Sequence, residues 1–446
     1  MAAGDYRAIA DAIAAEIAAG RLAPGQRLPP QRRFARRHGI ADSTAARVYR
    51  ELVRRGLVVG EVGRGTFVRA GEPGPEPALA EPGTARVDLE LVVPAPSAQA
   101  GRLAAAVSAL GGPDALAAAL HPVGVTGTPG LRAAAAGLLA KADWVPEPER
   151  ILVAGNGRQA IAAALAALVP SGGRLAVEAL TYPLVKGIAA RLGVGLVPVE
   201  TDAEGLVPGA LAAAHRATPV RAVYVQPTLH NPLGTTMSAA RRAELAATLR
   251  ALDLPAVEDC VYSFLREETP LAAHAPERTV LVDSLSKRLT PGLTLGFAVA
   301  SGALADRVAT AMRSGAWTPA GFAVAVATRW IGEGAATAVQ QDKRQDAALR
   351  QEIVRDHLAG FAVRGDPGAY HCWWELPGPW RAETFVAAAA RRGIAVTPAG
   401  AFAVGSGRAP NAVRLALATP PPATLASALR TLAGLARAEP HDEEPG

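Results

Sequence analysis

A lysine preceded by two hydroxyls, Ser284-Leu285-Ser286-Lys287, follows the apolar run TVLVD. A lysine so placed can form a Schiff base with an aldehyde while Ser284 holds a phosphate. Alone the tetrapeptide says little, because most Ser-Lys pairs are surface chemistry. Its neighbours strengthen it. Asp259 ends the apolar segment PAVED, and Tyr262 follows three residues later. A carboxylate there can pair with a protonated pyridine nitrogen and make the ring a better electron sink. Tyr262 can donate to the ring's phenolate oxygen, and Asn231 in QPTLHNPLGT offers a second donor. The segment Gly155-Asn156-Gly157-Arg158-Gln159 lies between a strand-like and an alanine-rich stretch. Its Gly157 and Arg158 amides therefore stand free at a helix N-terminus, a ready phosphate site. Tyr182-Pro183 presents an aromatic face able to stack on a ring. Singly, each has a plainer reading: Asp259 as a cap, Tyr182 as core, Asn231-Pro232 as a turn. Their joint order at successive strand ends points to pyridoxal 5'-phosphate (PLP). Lys287, Asp259 and Tyr262 are then the catalytic groups; Gly157, Arg158, Tyr182, Asn231 and Ser284 complete the cofactor contacts. No metal ligands are assigned.

Such residues need a scaffold that brings strand ends together. From about Asp88 onward, Ala/Leu helices alternate with the short strands RILVAG, GRLAVEA, RAVYVQP, PAVEDC and TVLVDSL. That alternation argues for a mostly parallel sheet in an α/β domain spanning 89–440, with a smaller α+β portion from about 330. Residues 71–88, dense in Pro, Gly and Glu, read as an exposed linker. Residues 1–70 follow another pattern. Ile9, Ile13 and Ile17 share one helical face, and Gly20 with Pro24-Gly25 stops that helix. A second helix covers about 30–38. A third opens on Asp42 or Ser43 and runs to about Arg55, with Val48 and Leu52 inward. Leu57-Val58-Val59 and Thr66-Phe67-Val68 then flank a turn at 60–65, the pattern of a two-stranded wing. A helix-turn-helix with a wing is a DNA-reading shape whose third helix enters the major groove. Arg47 and Arg50 on that helix, and Arg64 at the wing tip, put charge where phosphates would lie. Ser43 and Thr44, at the helix start, can reach phosphates or base edges. A small helical cap with a solvated basic face is the alternative.

Charge follows the same division. The 446-residue chain carries +6, yet residues 1–70 alone hold thirteen arginines and six acids, net +7. A basic module on a nearly neutral one favours double-stranded DNA as partner of the first. No run reaches the roughly 18 apolar residues of a membrane span, and the N-terminus lacks the basic start and apolar block of a signal peptide. Cys260 and Cys372 are far apart and read as buried thiols, which fits a reducing cytoplasm.

Residues from about 100 to 430 resemble a fold type I, class I aminotransferase, and residues 5–69 resemble a GntR-type winged helix. The combination resembles the MocR group of bacterial transcription regulators. In the first module Leu28-Pro29-Pro30-Gln31-Arg32 and Gly63-Arg64-Gly65-Thr66-Phe67-Val68 carry the likeness; it implies that Arg32, Arg64, Gly65 and Thr66 contact DNA. In the second it implies the roles given above for Lys287, Asp259, Tyr182, Asn231, Tyr262, Ser284 and the Gly157-Arg158 amides. It further implies that Arg414, in NAVRLALATP, grips a substrate α-carboxylate through two parallel hydrogen bonds. A homodimer with PLP near its interface is implied too.

Three positions depart from the family. The arginine expected seven residues after the lysine, which clamps the phosphate, is Thr294; adjacent Arg288 is the candidate to replace it. Where a partner tyrosine is expected, near HPVGVTGTPGLR, stand His121 and Pro122. The recognition helix begins with Ala41-Asp42 in place of Ser-Arg. The expected function is a transcription regulator sensing PLP, or an amine condensing with it, through Lys287. The alternative is a working amino-acid aminotransferase with an accessory winged helix. A degenerate dimerisation domain without cofactor is the third possibility.

Overall fold

The computed structural model describes residues 6–18, 21–22, 26–54, 57–61, 65–68, 85–93, 99–108, 110–405 and 409–438. The N-terminal module begins with α1 (Tyr6–Ala18), whose Ala10 and Ile13 turn inward. β1 (Arg27–Leu28) and α2 (Gln31–His38) follow. Gly39 ends α2 at φ 63°, where its N–H reaches the Ala35 and Arg36 carbonyls; a side chain would strain that left-handed cap. α3 (Asp42–Arg54) buries Ala45, Val48 and Leu52 against Phe34 of α2. β2 (Val58–Glu61) and β3 (Gly65–Val68) form the wing, and the sheet order is β1-β3-β2. The wing thus has three strands where sequence gave two. Leu28 is buried against the same core as Val58 and Val68, so the chain entering α2 pairs with Thr66 and Phe67. The tip with Arg64 and linker residues 71–84 lie outside the described residues.

β4 (Val87–Leu89) comes next, two residues inside the segment read as linker. The helices Gln99–Ser108, Pro113–Leu120 and Pro129–Leu139 lead to the large sheet. That sheet contains β5 (Ile151–Ala154), β6 (Arg174–Glu178) and β7 (Gly195–Val199). A small hairpin, β8 (Thr201–Asp202) and β9 (Gly205–Leu206), intervenes before β10 (Ala222–Val225), β11 (Ala256–Asp259), β12 (Thr279–Ser284) and β13 (Gly296–Val299). The order is β5-β13-β12-β11-β10-β6-β7, parallel throughout except for β13. All five strands read from sequence are present; β7 and β13 are additions. Except for the exposed Arg174 that starts β6, these five are fully buried, as a sheet covered on both faces requires.

The smaller subdomain is a five-stranded sheet of β14 (Ala362–Arg364), β15 (His371–Glu375), β16 (Ile394–Pro398) and β17 (Ala412–Ala416), in the order β14-β15-β17-β16-β4. β4 lies parallel to β16 at its edge, Val87 opposite Ile394. Trp374, Phe385, Leu415 and Leu429 form part of its core. The 23-residue helix Ala335–His357 joins the two parts. Cys260 and Cys372 are buried and unpaired, and no helix among the described residues is long and apolar enough to cross a membrane.

Candidate cofactor-binding site

One cavity of about 660 Å³ opens at the C-terminal ends of the parallel strands. All nine residues assigned to it from sequence line it: Gly157, Arg158, Tyr182, Asn231, Asp259, Tyr262, Ser284, Lys287 and Arg414. They reach it from six segments far apart in the chain, so the strand-end order becomes a single place.

At one end the helix Gly157–Leu168 begins. Asn156 caps it, its side chain accepting from the Gln159 amide at 2.9 Å. Gly157 and Arg158, the first two helical residues, keep their N–H groups for a ligand, on the positive end of the helix dipole. Two close approaches hold this turn in place. A Cβ on Gly157 would fall 2.9 Å from Ser284, and one on Gly296 would fall 2.2 Å from the Asn156 carbonyl oxygen. β13 therefore presses the turn against the end of β12, which places Ser284 beside the free amides.

Asp259 lies deeper, 1 % exposed. Tyr224 Oη donates to its Oδ2 at 2.5 Å, Gln226 Nε2 donates to the same oxygen at 2.9 Å, and the Val261 amide donates to Oδ1 at 3.1 Å. Burial still pushes the carboxyl up to about 6, these bonds opposing it. A cationic ring nitrogen opposite it would restore the anion. Tyr224 and Gln226 escaped the sequence reading, although positions 224 and 226 alternate onto one face at a strand end. Asn231 is 4 % exposed and its Oδ1 has no partner, a buried acceptor that a ligand would satisfy. Tyr262 keeps its proton, since burial raises its hydroxyl well above the usual range. His371 tilts against the Tyr262 ring at 5.5 Å; burial lowers it to about 3, so it is neutral.

Lys287 sits in the short helix Leu285–Arg288 that follows β12. Its Nζ donates to the Val92 carbonyl. Burial, then the positive charges of Arg158 and Arg414, bring its ammonium down to about 8. Lys343, on the long joining helix, donates to the Lys287 carbonyl at 2.9 Å and also to that of Leu289. It ties off the carbonyls that so short a helix leaves open; a lysine inside a helical run gave no sign of this in the sequence. Only a neutral amine attacks an aldehyde. Condensation of an aldehyde with Lys287, followed with PLP as the probe, should therefore accelerate about tenfold per pH unit below pH 8 and level off above it, as measured by the growth of an imine absorption band. A rate still climbing at pH 10 would show an ordinary, unperturbed lysine.

Arg414, 6 % exposed on β17, donates to the Glu90 carbonyl and, at 2.9 Å, to Thr397 Oγ1. Its Nε has no partner. Residues 90–93 thus form a strap across the cavity, held by both Lys287 and Arg414. The Thr419 hydroxyl donates to the Leu91 carbonyl at 2.6 Å and fastens it further. The strap was not foreseen, because it follows directly on what reads as linker.

One expectation is corrected. Arg288 does not replace the missing phosphate clamp: it is 1 % exposed and turned away from the cavity. It donates to the Asp283 carboxylate, to Gln340 Oε1 at 2.8 Å and to the Leu138 carbonyl at 3.2 Å. Among the described residues Asp283 is the carboxylate that pairs with it, so the guanidinium follows that charge rather than the neighbouring lysine. Thr294 does line the cavity but pairs with Ser286, hydroxyl to hydroxyl at 2.6 Å. His121 and Pro122 are exposed and do not line the cavity.

In the N-terminal module Arg32 and Ser43 are exposed, and Thr44 is half-buried at the start of α3. Arg47 is exposed, yet its guanidinium lies over the Tyr6 ring at 4.2 Å, toward α1. Gly65 and Thr66 stand in β3, where Arg27 packs so closely that a Cβ on Gly65 would fall 2.6 Å from its Nε. Arg27, Arg33, Arg36 and Arg37 line a groove of about 1100 Å³ beside α2. These four went unassigned, although the run QRRFARRH displays three of them.

Residues 121–432 match the model of the family described as aminotransferase class I and II. Residues 5–68 match that of the bacterial regulatory proteins, gntR family. The chain is 27 % identical to an uncharacterized HTH-type transcriptional regulator of Bacillus subtilis, over 93 % of this chain and 90 % of the relative. It is 30 % identical to the HTH-type pyridoxine biosynthesis transcriptional regulator of Corynebacterium glutamicum, over 58 % of this chain and 57 % of that one. Among solved structures, an archaeal alanine:glyoxylate aminotransferase superposes with a TM-score of 0.72 at 21 % identity, over 79 % of this chain and 90 % of that one. The α-aminoadipate aminotransferase LysN of Thermus thermophilus, complexed with N-(5'-phosphopyridoxyl)-L-leucine, superposes with a TM-score of 0.70 at 24 % identity, over 79 % and 92 %.

Proposed function

This chain belongs to the aminotransferase class I and II family and carries a gntR-family module ahead of it, and from that premise we propose that it is a DNA-binding transcription regulator whose aminotransferase-like domain senses PLP, or an amine reacting with it, through Lys287. The observation that carries this reading is the meeting of Lys287, Asp259 and Arg414 in one cavity of a chain that begins with a basic winged helix. The residues fit the cofactor. Free amides and Ser284 suit its phosphate, Asn231 and Tyr262 its ring oxygen, Asp259 its ring nitrogen, and Tyr182 its face. Bound there, PLP supplies an aldehyde for amines and a ring that withdraws electrons.

The strap gives such binding a way to be felt. Lys287 holds the Val92 carbonyl and Arg414 holds the Glu90 carbonyl. A ligand that engages the lysine and offers a carboxylate to the arginine competes for both donors. Residues 90–93 then lose two anchors, and they continue through β4 and the segment before it into the winged helix. Ligand and DNA thereby bias the same element, and any effect of one on the other is reciprocal. On the DNA side, Arg32, Ser43, Thr44, Arg47, Arg64, Gly65 and Thr66 are the proposed contacts, with the groove lined by Arg27, Arg33, Arg36 and Arg37 a further cationic face for phosphates. A second copy of the chain is the proposed partner of the large domain. Leu116, Leu120 and Phe322, 41 %, 72 % and 37 % exposed, leave an apolar face there. The amino-acid or amine effector binds between Lys287 and Arg414.

The test is the affinity of the full chain for DNA fragments selected from a random pool, measured with and without PLP. The expected result is binding that weakens steeply between 50 and 200 mM salt, by roughly 100-fold or more for several phosphate contacts, and that shifts several-fold with PLP. Binding no tighter than that of residues 85–446 alone would overturn it. Sustained turnover of an amino donor and a keto acid would instead favour an aminotransferase with an accessory winged helix, for which Lys287, Asp259 and Arg414 supply the groups.

A further inference from the structure

A phosphate monoester brings about two negative charges at neutral pH, and a cavity that takes one needs a cation beside it. The two positions from which a clamp was expected give none: Thr294 is neutral and Arg288 faces Asp283. Among the described residues that line the cavity, three are cations: Arg158, Lys287 and Arg414. Lys287 is the point of covalent attachment. Arg414 stands on the small subdomain, tied to Glu90 and Thr397. Arg158 remains. It is the second residue of the helix Gly157–Leu168, it is exposed, and no acid pairs with it among the described residues. Its guanidinium faces the Tyr182 hydroxyl and is, after burial, the first cause of the lowered Lys287 ammonium.

We infer that the Arg158 side chain is the phosphate clamp of this site, replacing the arginine that Thr294 lacks, so that one residue meets the phosphate with both its amide and its guanidinium. This rests on the PLP reading above. Charge-assisted hydrogen bonds are about twice as strong as neutral ones and a guanidinium meets a phosphate with two. The helix N-terminus adds its dipole at the same point. Moving the cation from a loop after the lysine to the start of a helix also puts it nearer Tyr182, the ring-stacking face, and explains why a threonine suffices at 294: with Ser286 it closes the neutral side of the phosphate subsite.

The experiment compares PLP with pyridoxal, which has the same ring and aldehyde but a hydroxymethyl group in place of the phosphate ester. Full-length wild type, Arg158→Gln, and Arg158→Gln with Thr294→Arg are titrated with each aldehyde, reading the visible band of the lysine-bound ring and the mass added after borohydride reduction. In Arg158→Gln the affinity for PLP should fall about 100-fold, the loss of two charge-assisted hydrogen bonds, while that for pyridoxal falls far less, by no more than the rise of the Lys287 ammonium accounts for. Thr294→Arg should recover most of the loss. Inorganic phosphate should compete with PLP for wild type and do so far more weakly in Arg158→Gln. A band with both aldehydes but equal losses in Arg158→Gln, or no loss at all, would overturn the Arg158 assignment alone. Wild type that shows no band with either aldehyde would overturn the cofactor reading and the clamp with it.

Discussion

Lys287→Ala should yield a protein that never develops the visible band of lysine-bound pyridoxal, near ~420 nm, at any PLP concentration. The loss is complete because the chemistry is covalent, and no other lysine among the described residues lines the cavity. Lys343 comes near only at the backbone: its Nζ donates to the Lys287 and Leu289 carbonyls, and it is not among the residues that line the cavity. The same variant should still bind DNA, and PLP should no longer change that affinity. Absorption spectra and DNA titrations on one preparation separate these effects. A surviving band, with PLP mapped to Lys343 by mass spectrometry, would show that the roles of the two lysines are reversed. DNA affinity that still responds to PLP in a band-free variant would show that sensing needs no covalent bond.

Arg414→Met should cost an amino-acid effector about 100-fold in affinity and leave a carboxylate-free amine nearly unaffected. Two charge-assisted hydrogen bonds, each worth about 1.5 kcal/mol net, sum to roughly 3 kcal/mol, which is about two decades in Kd. Methionine fills the volume without a donor, so β17 keeps its core contacts. Pairs of ligands that differ only by the carboxylate, followed by their displacement of the lysine-bound band, measure the effect directly. Equal losses for both ligands would mean that Arg414 acts on the strap through Glu90, and not on the ligand.

Chemical identity at strand ends was the legible part of this chain. Lys287, Asp259, Asn231 and Tyr182 could be read because each follows an apolar run that has to be a strand, and such runs in a parallel sheet end on the same side. Side-chain direction was not legible. Arg288 adjoins Lys287, yet one residue of helix rotates it by about 100°, onto Asp283. β7 escaped because it is an edge strand carrying Pro198, with two exposed residues in five. β13 escaped for another reason: an antiparallel strand inserted between parallel ones depends on what lies beside it. Only the proximity of Asn156 to Gly296 shows why a glycine must begin it. Tyr224 and Gln226 were visible as an alternating pair, but nothing local says that the carboxylate ending the next strand will accept from both of them. The strap at 90–93 continues directly from β4, the edge strand of a sheet whose other strands begin at Ala362, and no window of sequence spans that separation.

That last pairing governs the order in which the molecule can assemble. Val87 finds its partner only when Ile394 has been made, so the small subdomain closes late and over a very long loop, a slow kind of contact. The winged helix, by contrast, has its whole core within residues 6–68 and can fold while most of the chain is still on the ribosome. During synthesis the DNA-reading module therefore exists for a time without the strap that would connect it to the cavity. It becomes answerable to a ligand only in the last step of folding, when the C-terminal strands capture β4.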